Sequence, residues 1–212
     1  MATALFQEYG KTPRLFRDIT VSEKIDGTNA AVQIVPVSEL DRWTKEDGEV
    51  IAFYDPQPIA VIDGMAVFAQ SRNRLITPGK ETDNYGFAGW VERNAASLVE
   101  DLGEGIHYGE WWGQGIARKY DAKVKTFSLF NTARYTDITF TTPNLDIVPV
   151  LHEGHFDQWE VENALDKLRT NGSYASRGFE NPEGICIYHS ASRQVFKVTL
   201  DANDSGKWEM AA

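Results

Sequence analysis

A lysine can form a bond to phosphorus only as a neutral amine, and one lysine in this sequence sits in a setting suited to that step. Lys24 opens the run Lys24-Ile25-Asp26-Gly27, which passes through Thr28 and Asn29 into Ala30, Val32 and Ile34, the two-residue spacing of a half-buried strand. A free lysine amine has a pKa of about 10.4, so attack near neutral pH needs desolvation or neighbouring cations. Gly27 lets the backbone turn tightly beneath a ligand, and Asn29 offers both a donor and an acceptor to a sugar hydroxyl or a base. A solvated lysine beside a hairpin turn would read the same way locally, so the rest of the chain decides its role.

Four further groups carry compatible chemistry. Arg72 follows a strand and lies in the polar turn Ser71-Arg72-Asn73-Arg74, where a guanidinium can clamp a phosphate or a ribose. Glu110 lies among Tyr108, Trp111 and Trp112 in a stretch suited to burial. A carboxylate there needs a partner: a salt bridge, a ligand hydroxyl or a metal-bound water. Phe127 and Phe130, three apart in a strand, face opposite sides; one enters the core and the other can offer its face to a planar ring. Glu183 precedes Gly184 at the mouth of an apolar strand, and Lys197 lies on the returning strand of the same hairpin. A magnesium ion favours such a carboxylate together with phosphate oxygens, and a second lysine balances developing phosphoryl charge.

Mostly short strands must position these residues. Alternating or apolar runs bounded by Gly, Pro, Asn or Asp recur along the chain, with hairpin turns expected at Asp63-Gly64 and at Ser190 to Arg193. Two stretches read as helices. The first has Phe87, Trp90, Val91, Ala95, Leu98 and Leu102 on one face and ends at Gly103. The second opens with Asp157 and Glu160 at capping-box spacing and closes at Gly172. The charged segment Glu39 to Glu49 reads as a surface loop. Strands and helices that do not alternate as βαβ units predict an α+β fold with mainly antiparallel sheets and flanking helices. The single cysteine, Cys186, allows no internal disulfide; its isoleucine neighbours suggest a buried strand position, and a cytoplasmic location is expected. No apolar run is long enough for a bilayer span. A formal charge of −10 opposes bulk attraction to nucleic acid, so a polynucleotide substrate would need a local basic groove.

In order, Lys24-Ile25-Asp26-Gly27, Ser71-Arg72, Gly109-Glu110, Phe127 to Phe130, Glu183-Gly184 and Lys197 resemble the collinear motifs of covalent nucleotidyltransferases, the superfamily of polynucleotide ligases and mRNA-capping guanylyltransferases. Lys24, Gly27 and Asn29 fit the K-x-x-G-x-N pattern of ATP-dependent RNA ligases of the RNA ligase 2 type, whereas DNA ligases and capping enzymes usually carry arginine at the place of Asn29. The resemblance implies a ligase adenylation-domain architecture, ATP as adenylate donor and magnesium or manganese as cofactor. It implies that Lys24 attacks the α-phosphate, that Glu110 and Arg72 bind ribose or phosphate, that Phe127 stacks on adenine, that Glu183 engages the metal and that Lys197 contacts the α-phosphate. Asp26, Gly27 and Asn29 would support the nucleophile loop and the nucleotide. RNA ends or a nicked duplex would be the partners. The last motif departs from the usual K-x-K, since Thr199 stands at the second lysine position. Residues 1–212 are expected to form one adenylation domain without a C-terminal OB or helical domain. A nucleic-acid grip would then come from Arg118, Lys119, Lys123 and Lys125, from Lys11, Arg14 and Arg17, or from a partner protein. A DNA ligase and a catalytically idle module that binds nucleotides or RNA ends are the alternative readings.

Overall fold

Two sheets facing one another set the frame for everything else. The computed structural model describes residues 9–43 and 53–201. In chain order the strands begin with β1 (Asp18–Lys24), β2 (Thr28–Pro36), β3 (Asp41–Trp43), β4 (Phe53–Asp55), β5 (Ala60–Ile62), β6 (Met65–Ser71) and β7 (Leu75–Ile76). Helices α1 (Phe87–Arg93) and α2 (Ala95–Leu102) lead to β8 (Gly105–Gly113) and β9 (Lys125–Leu129). The one-turn α3 (Thr132–Tyr135), β10 (Leu145–Ile147), β11 (Val150–His155), α4 (Gln158–Asn171), β12 (Gly184–His189) and β13 (Gln194–Thr199) complete the order.

The smaller sheet runs β11-β1-β12-β13 and the larger β10-β9-β8-β2-β6-β5, with β7 added beside β6. Their pairings are antiparallel except for β9 with β10. Both expected hairpins form. Asp63 and Gly64, with φ of 49° and 78°, take the positive φ that a tight two-residue β-turn requires. The fold is the α+β arrangement with flanking helices that the patterning predicts.

Strand alternation separates two kinds of face. On β1, Ile19 and Val21 turn outward and pack with Ile185, Ile187 and the α4 residues Ala164, Leu165 and Leu168. On the larger sheet, Ala30, Val32, Ile34, Val67 and Ala69 pack against Phe87, Trp90, Val91 and Leu98 from α1 and α2. The inner faces keep the polar residues. A third cluster of Ile25, Trp112, Tyr120 and Val148 lies beside the turn that joins β1 to β2.

Three local expectations are corrected. The first helical stretch is two helices, because Asn94 (φ −114°, ψ 14°) leaves helical geometry; its side chain bonds back to the Trp90 carbonyl at 2.8 Å. The second helix is capped at Asp157, which accepts from the Trp159 N–H at 2.9 Å, but Glu160 does not complete a capping box. It turns instead to His152, 3.3 Å away. Within the segment expected as a loop, Asp41–Trp43 is a strand paired with β4, and the remainder beyond residue 43 lies outside the described residues.

One buried acid breaks the apolar alternation of β1. Glu23 occupies an outward position with 1% exposure and accepts from Ser173 Oγ at 2.6 Å and from the Tyr174 and Ala175 N–H groups at 2.8 and 2.9 Å. Burial pushes its carboxyl above the usual range, opposed by the Ser173 hydroxyl and the two amides. Glu23→Ala strands these donors, and we expect it to lower unfolding stability by about 3 kcal/mol, read as a fall in urea midpoint at unchanged slope.

Candidate active site

Lys24 ends β1 on the inner face, and its Nζ donates to Glu183 Oε2 at 2.5 Å. Pairing makes the contact local: Lys24 lies directly opposite Gly184 on β12, so the residue before Gly184 arrives beside the lysine. The same row extends to Thr199 on β13. Lys197 lies one row further along the inner face, opposite Cys186, and is exposed on the outermost strand. Cys186 is partly buried on that inner face, which corrects its expected full burial.

The opposing face presents a second row. Asn29 on β2 pairs with Glu110 on β8, which pairs with Ser128 on β9. The Ala30–Ser71 pairing carries Arg72 to the far side of Asn29. Gly27 joins the two halves, its N–H donating to Glu110 Oε1 at 3.1 Å. It must be glycine for reasons of space: an added Cβ would come within 2.5 Å of the Trp111 carbonyl and 2.7 Å of the Trp112 Cβ.

Burial dominates the electrostatics of Glu110 and pushes its carboxyl up to about 7. Lys24 and the Gly27 amide oppose the rise, Glu183 adds to it and Arg72 opposes it, so these charges act on one another within one site. Further into the cleft, a cavity of about 480 Å³ separates Thr20, Ser22, Tyr188 and Val195 on one sheet from Tyr108 and Phe130 on the other. Its walls are largely apolar and wide enough for a planar heterocycle.

Three of the expected site residues occupy different settings from those anticipated. Phe127 is fully buried on the helix-packed face, with ring centroids 4.9 Å from Phe87 and 5.8 Å from Trp90. Its pairing with Trp111, one residue out of phase with Glu110, puts it on the wrong side of the sheet to stack on a ligand. Phe130, continuing β9 through a bond from its N–H to the Tyr108 carbonyl at 2.9 Å, is the phenylalanine that lines the cavity. Arg118, expected to contact nucleic acid, is turned inward onto Asp26 at 3.2 Å and Asp201 at 2.5 Å. Lys125 donates to the Tyr85 carbonyl at 2.6 Å, so its charge is partly engaged, and Lys119 and Lys123 are exposed. Lys11, Arg14 and Arg17 are exposed as well. Tyr120 was invisible in the sequence: its hydroxyl accepts the Asp26 N–H at 2.8 Å beneath the turn that follows Lys24, but its letter sits inside a basic run that reads as a solvated loop.

Among the described residues, no group of three or more His, Cys, Asp or Glu side chains could hold a metal ion by itself, and no helix is long and apolar enough to cross a membrane. The donor set still suits magnesium, which binds through one or two carboxylates plus substrate phosphates and water. Glu183 facing the cleft is the candidate carboxylate.

A two-sheet cleft with a lysine at its floor, carboxylates on both walls and an apolar slot beyond defines the nucleotidyltransferase class. The profile of the RNA ligase family matches residues 17–199, and the chain belongs to that family. No curated protein sequence matches. Among solved structures, the fold is similar to a Naegleria gruberi RNA ligase variant determined with ATP and manganese, at TM-score 0.53 and 16% identity, covering 89% of this chain and 51% of that one. A second such variant with ATP and manganese gives 0.52 and 14%, covering 88% and 50%. A ligand-free Naegleria gruberi RNA ligase variant gives 0.50 and 16%, with the same coverage of 88% and 50%. The chain spans about half the length of these relatives.

The Glu110 carboxyl supplies a pH test. Its folded-state pKa is raised from 4.5 to about 7, so the folded form holds the proton more tightly than the unfolded chain. The stability this gives is complete below pH 4.5 and is lost as pH rises through 7. We expect the ligand-free protein to lose that increment across this window and Glu110→Gln to flatten the profile, as read by urea midpoints at a series of pH values.

Proposed function

We propose that this protein is an ATP-dependent RNA ligase whose residues 17–199 act as the adenylation unit. The single observation that carries the reading is Lys24 held against Glu183 and close enough to Glu110 on the other sheet for their charges to act on one another, with Asn29 paired to Glu110. Lys24 Nζ attacks the α-phosphorus of ATP; a nitrogen–phosphorus bond forms, the bond to the bridging oxygen breaks, pyrophosphate leaves with the electron pair and the amine proton passes to solvent. AMP is then held on Lys24 as a phosphoramidate. A 5′-phosphate oxygen of RNA next displaces Lys24 from that phosphorus, and a 3′-hydroxyl finally displaces AMP to leave a phosphodiester.

The position of each side chain supports a role for it. The cavity takes the adenine, with Phe130 rather than Phe127 offering its ring. Glu110, close to half protonated near pH 7, can accept from one ribose hydroxyl and donate to another oxygen. Arg72, at the end of β6 opposite Asn29, reaches ribose or phosphate. Lys197 and the partial charges of the turn offset the phosphate charge, since phosphoryl transfer depends chiefly on position and field. Glu183 would hold a magnesium or manganese ion with phosphate oxygens, and the ion would supply charge neutralisation at the phosphates. Thr199, in the row of Lys24 and Gly184, offers a hydroxyl where relatives of this type place a second cation.

Three outcomes are expected. Incubation with ATP and magnesium adds an AMP-sized mass to the parent protein and none to Lys24→Ala; a parent that binds ATP without the adduct makes it an idle binding module. With a nicked duplex, sealing should favour an RNA 3′-hydroxyl strand, and equal sealing of all-DNA nicks overturns the RNA assignment. Phe130→Ala should weaken ATP binding by roughly tenfold with little loss of stability, whereas Phe127→Ala should cost about 3–5 kcal/mol of stability, measured by calorimetric titration and urea unfolding.

A further inference from the structure

We infer that Arg118 positions the nucleophile by clasping the three segments that carry Lys24, Glu183 and Lys197. The inference rests on the adenylation reading given above. Arg118 Nε donates to Asp26 Oδ2 at 3.2 Å, Nη1 to the Asn181 carbonyl at 3.3 Å and Nη2 to Asp201 Oδ2 at 2.5 Å. Asp26 belongs to the Lys24 turn, Asn181 leads into Glu183, and Asp201 follows the strand that bears Lys197. The side chain is 16% exposed, so its donors are directed to protein groups and not to an incoming phosphate.

The loop that carries Arg118 is itself held in a costly conformation. Ala117, Lys119, Tyr120 and Asp121 have φ of 43°, 63°, 52° and 50°. Such left-handed backbone costs about 1–3 kcal/mol per residue unless the surroundings enforce it. Here they do. Tyr120 is buried against Trp112 and Phe179, with ring centroids at 5.1 and 4.7 Å, and its carbonyl accepts from Ser176 Oγ at 2.7 Å. Ser176 is in turn fixed on the Ser173 hydroxyl, which donates to Glu23. The nucleophile is therefore bracketed: Glu23 before it and Asp26 after it are tied through Ser173, Ser176 and Tyr120, whose hydroxyl accepts the Asp26 N–H, while the Arg118 guanidinium holds the Asp26 carboxylate separately.

Charge partition gives the clasp a second effect. Asp26, Glu183 and Asp201 gather around two cations, Lys24 and Arg118. By engaging Asp26 and Asp201, Arg118 leaves Lys24, among the described residues, with Glu183 as its ion-pair partner. A lysine at position 118 would keep the charge but lose the planar fork that reaches three acceptors at once.

The test uses the full chain and follows AMP attachment to Lys24 by intact mass as a function of ATP concentration. Arg118→Lys and Arg118→Gln should lower the maximal attachment rate by roughly 10- to 100-fold, with the ATP KM within about twofold of the parent. Asp26→Asn should give a similar loss, and the double variant no more than either alone. RNA affinity and its salt dependence should not change. Attachment at the parent rate with weakened RNA binding would make Arg118 a phosphate contact and overturn the inference. So would additive losses that disappear when the assay is run well below each variant's unfolding temperature. A readout without ATP separates this inference from the ligase reading: the rate at which a small amine-acylating reagent modifies Lys24 should change several-fold in Arg118→Gln. An unchanged rate overturns the positioning role, while a parent that takes no AMP overturns only the ligase assignment.

Discussion

The contact between Lys24 and Glu183 depends on two separate pieces of chain arriving in register. β1 must end at Lys24, β12 must begin at Gly184, and the two must pair so that residues 24 and 184 face each other. A slip of one residue would turn Lys24 to the outer face, against Ile185, Ile187 and the α4 leucines where a charge has no solvation, and would turn Ile19 and Val21 to the inner face. The register is held by what lies on that outer face. Burying those isoleucines and the valine is worth about 1.5–3 kcal/mol each, and the strand has no other phase in which they all turn outward to the helix. The polar inner face is thus a by-product of apolar packing on the opposite side.

That division of labour runs through the whole molecule. A two-sheet protein ordinarily fills the space between its sheets with apolar side chains, and this one leaves there a lysine, an acid, an asparagine and a cavity. Cohesion comes instead from the helix-covered outer faces and from the cluster of Ile25, Trp112, Tyr120 and Val148 beside the nucleophile turn. Burial that raises the Glu110 carboxyl is the same burial that strengthens every interaction in the cleft, because low polarity magnifies both the cost of a lone charge and the attraction between paired ones.

Much of this was legible from residue order. Period-two patterns marked β2, β8 and β12, and paired turn residues marked both hairpins, because these signals depend on neighbours in sequence; β1 was not marked, since the residues before Lys24 read as a polar run leading into a turn. The chemistry-bearing residues were legible one at a time, as a lysine before Asp-Gly, an acid among tryptophans and an acid before a glycine. What stayed hidden depends on phase and on long-range pairing. Nothing local says whether Phe127 or Phe130 faces the helices; the answer comes from the pairing of β9 with β8. The basic run around Arg118 reads as a solvated loop until Asp26 and Asp201, distant in sequence, are seen on either side of it. Glu23 looks like one more surface acid, and only the loop after α4 reveals why it is buried.

The place of Lys197 in the smaller sheet has a mechanical consequence. Its strand is the outermost of four, paired on one side only, and most of its side chains are exposed, whereas Lys24 lies on a strand paired on both sides. The two lysines are thus mounted on supports of unequal stiffness. The inner one cannot withdraw without opening the sheet, while the outer one can peel away with the rim and return. Under the adenylation proposed above, one fixed and one yielding cation would tighten around a triphosphate and loosen for its products without disturbing Lys24.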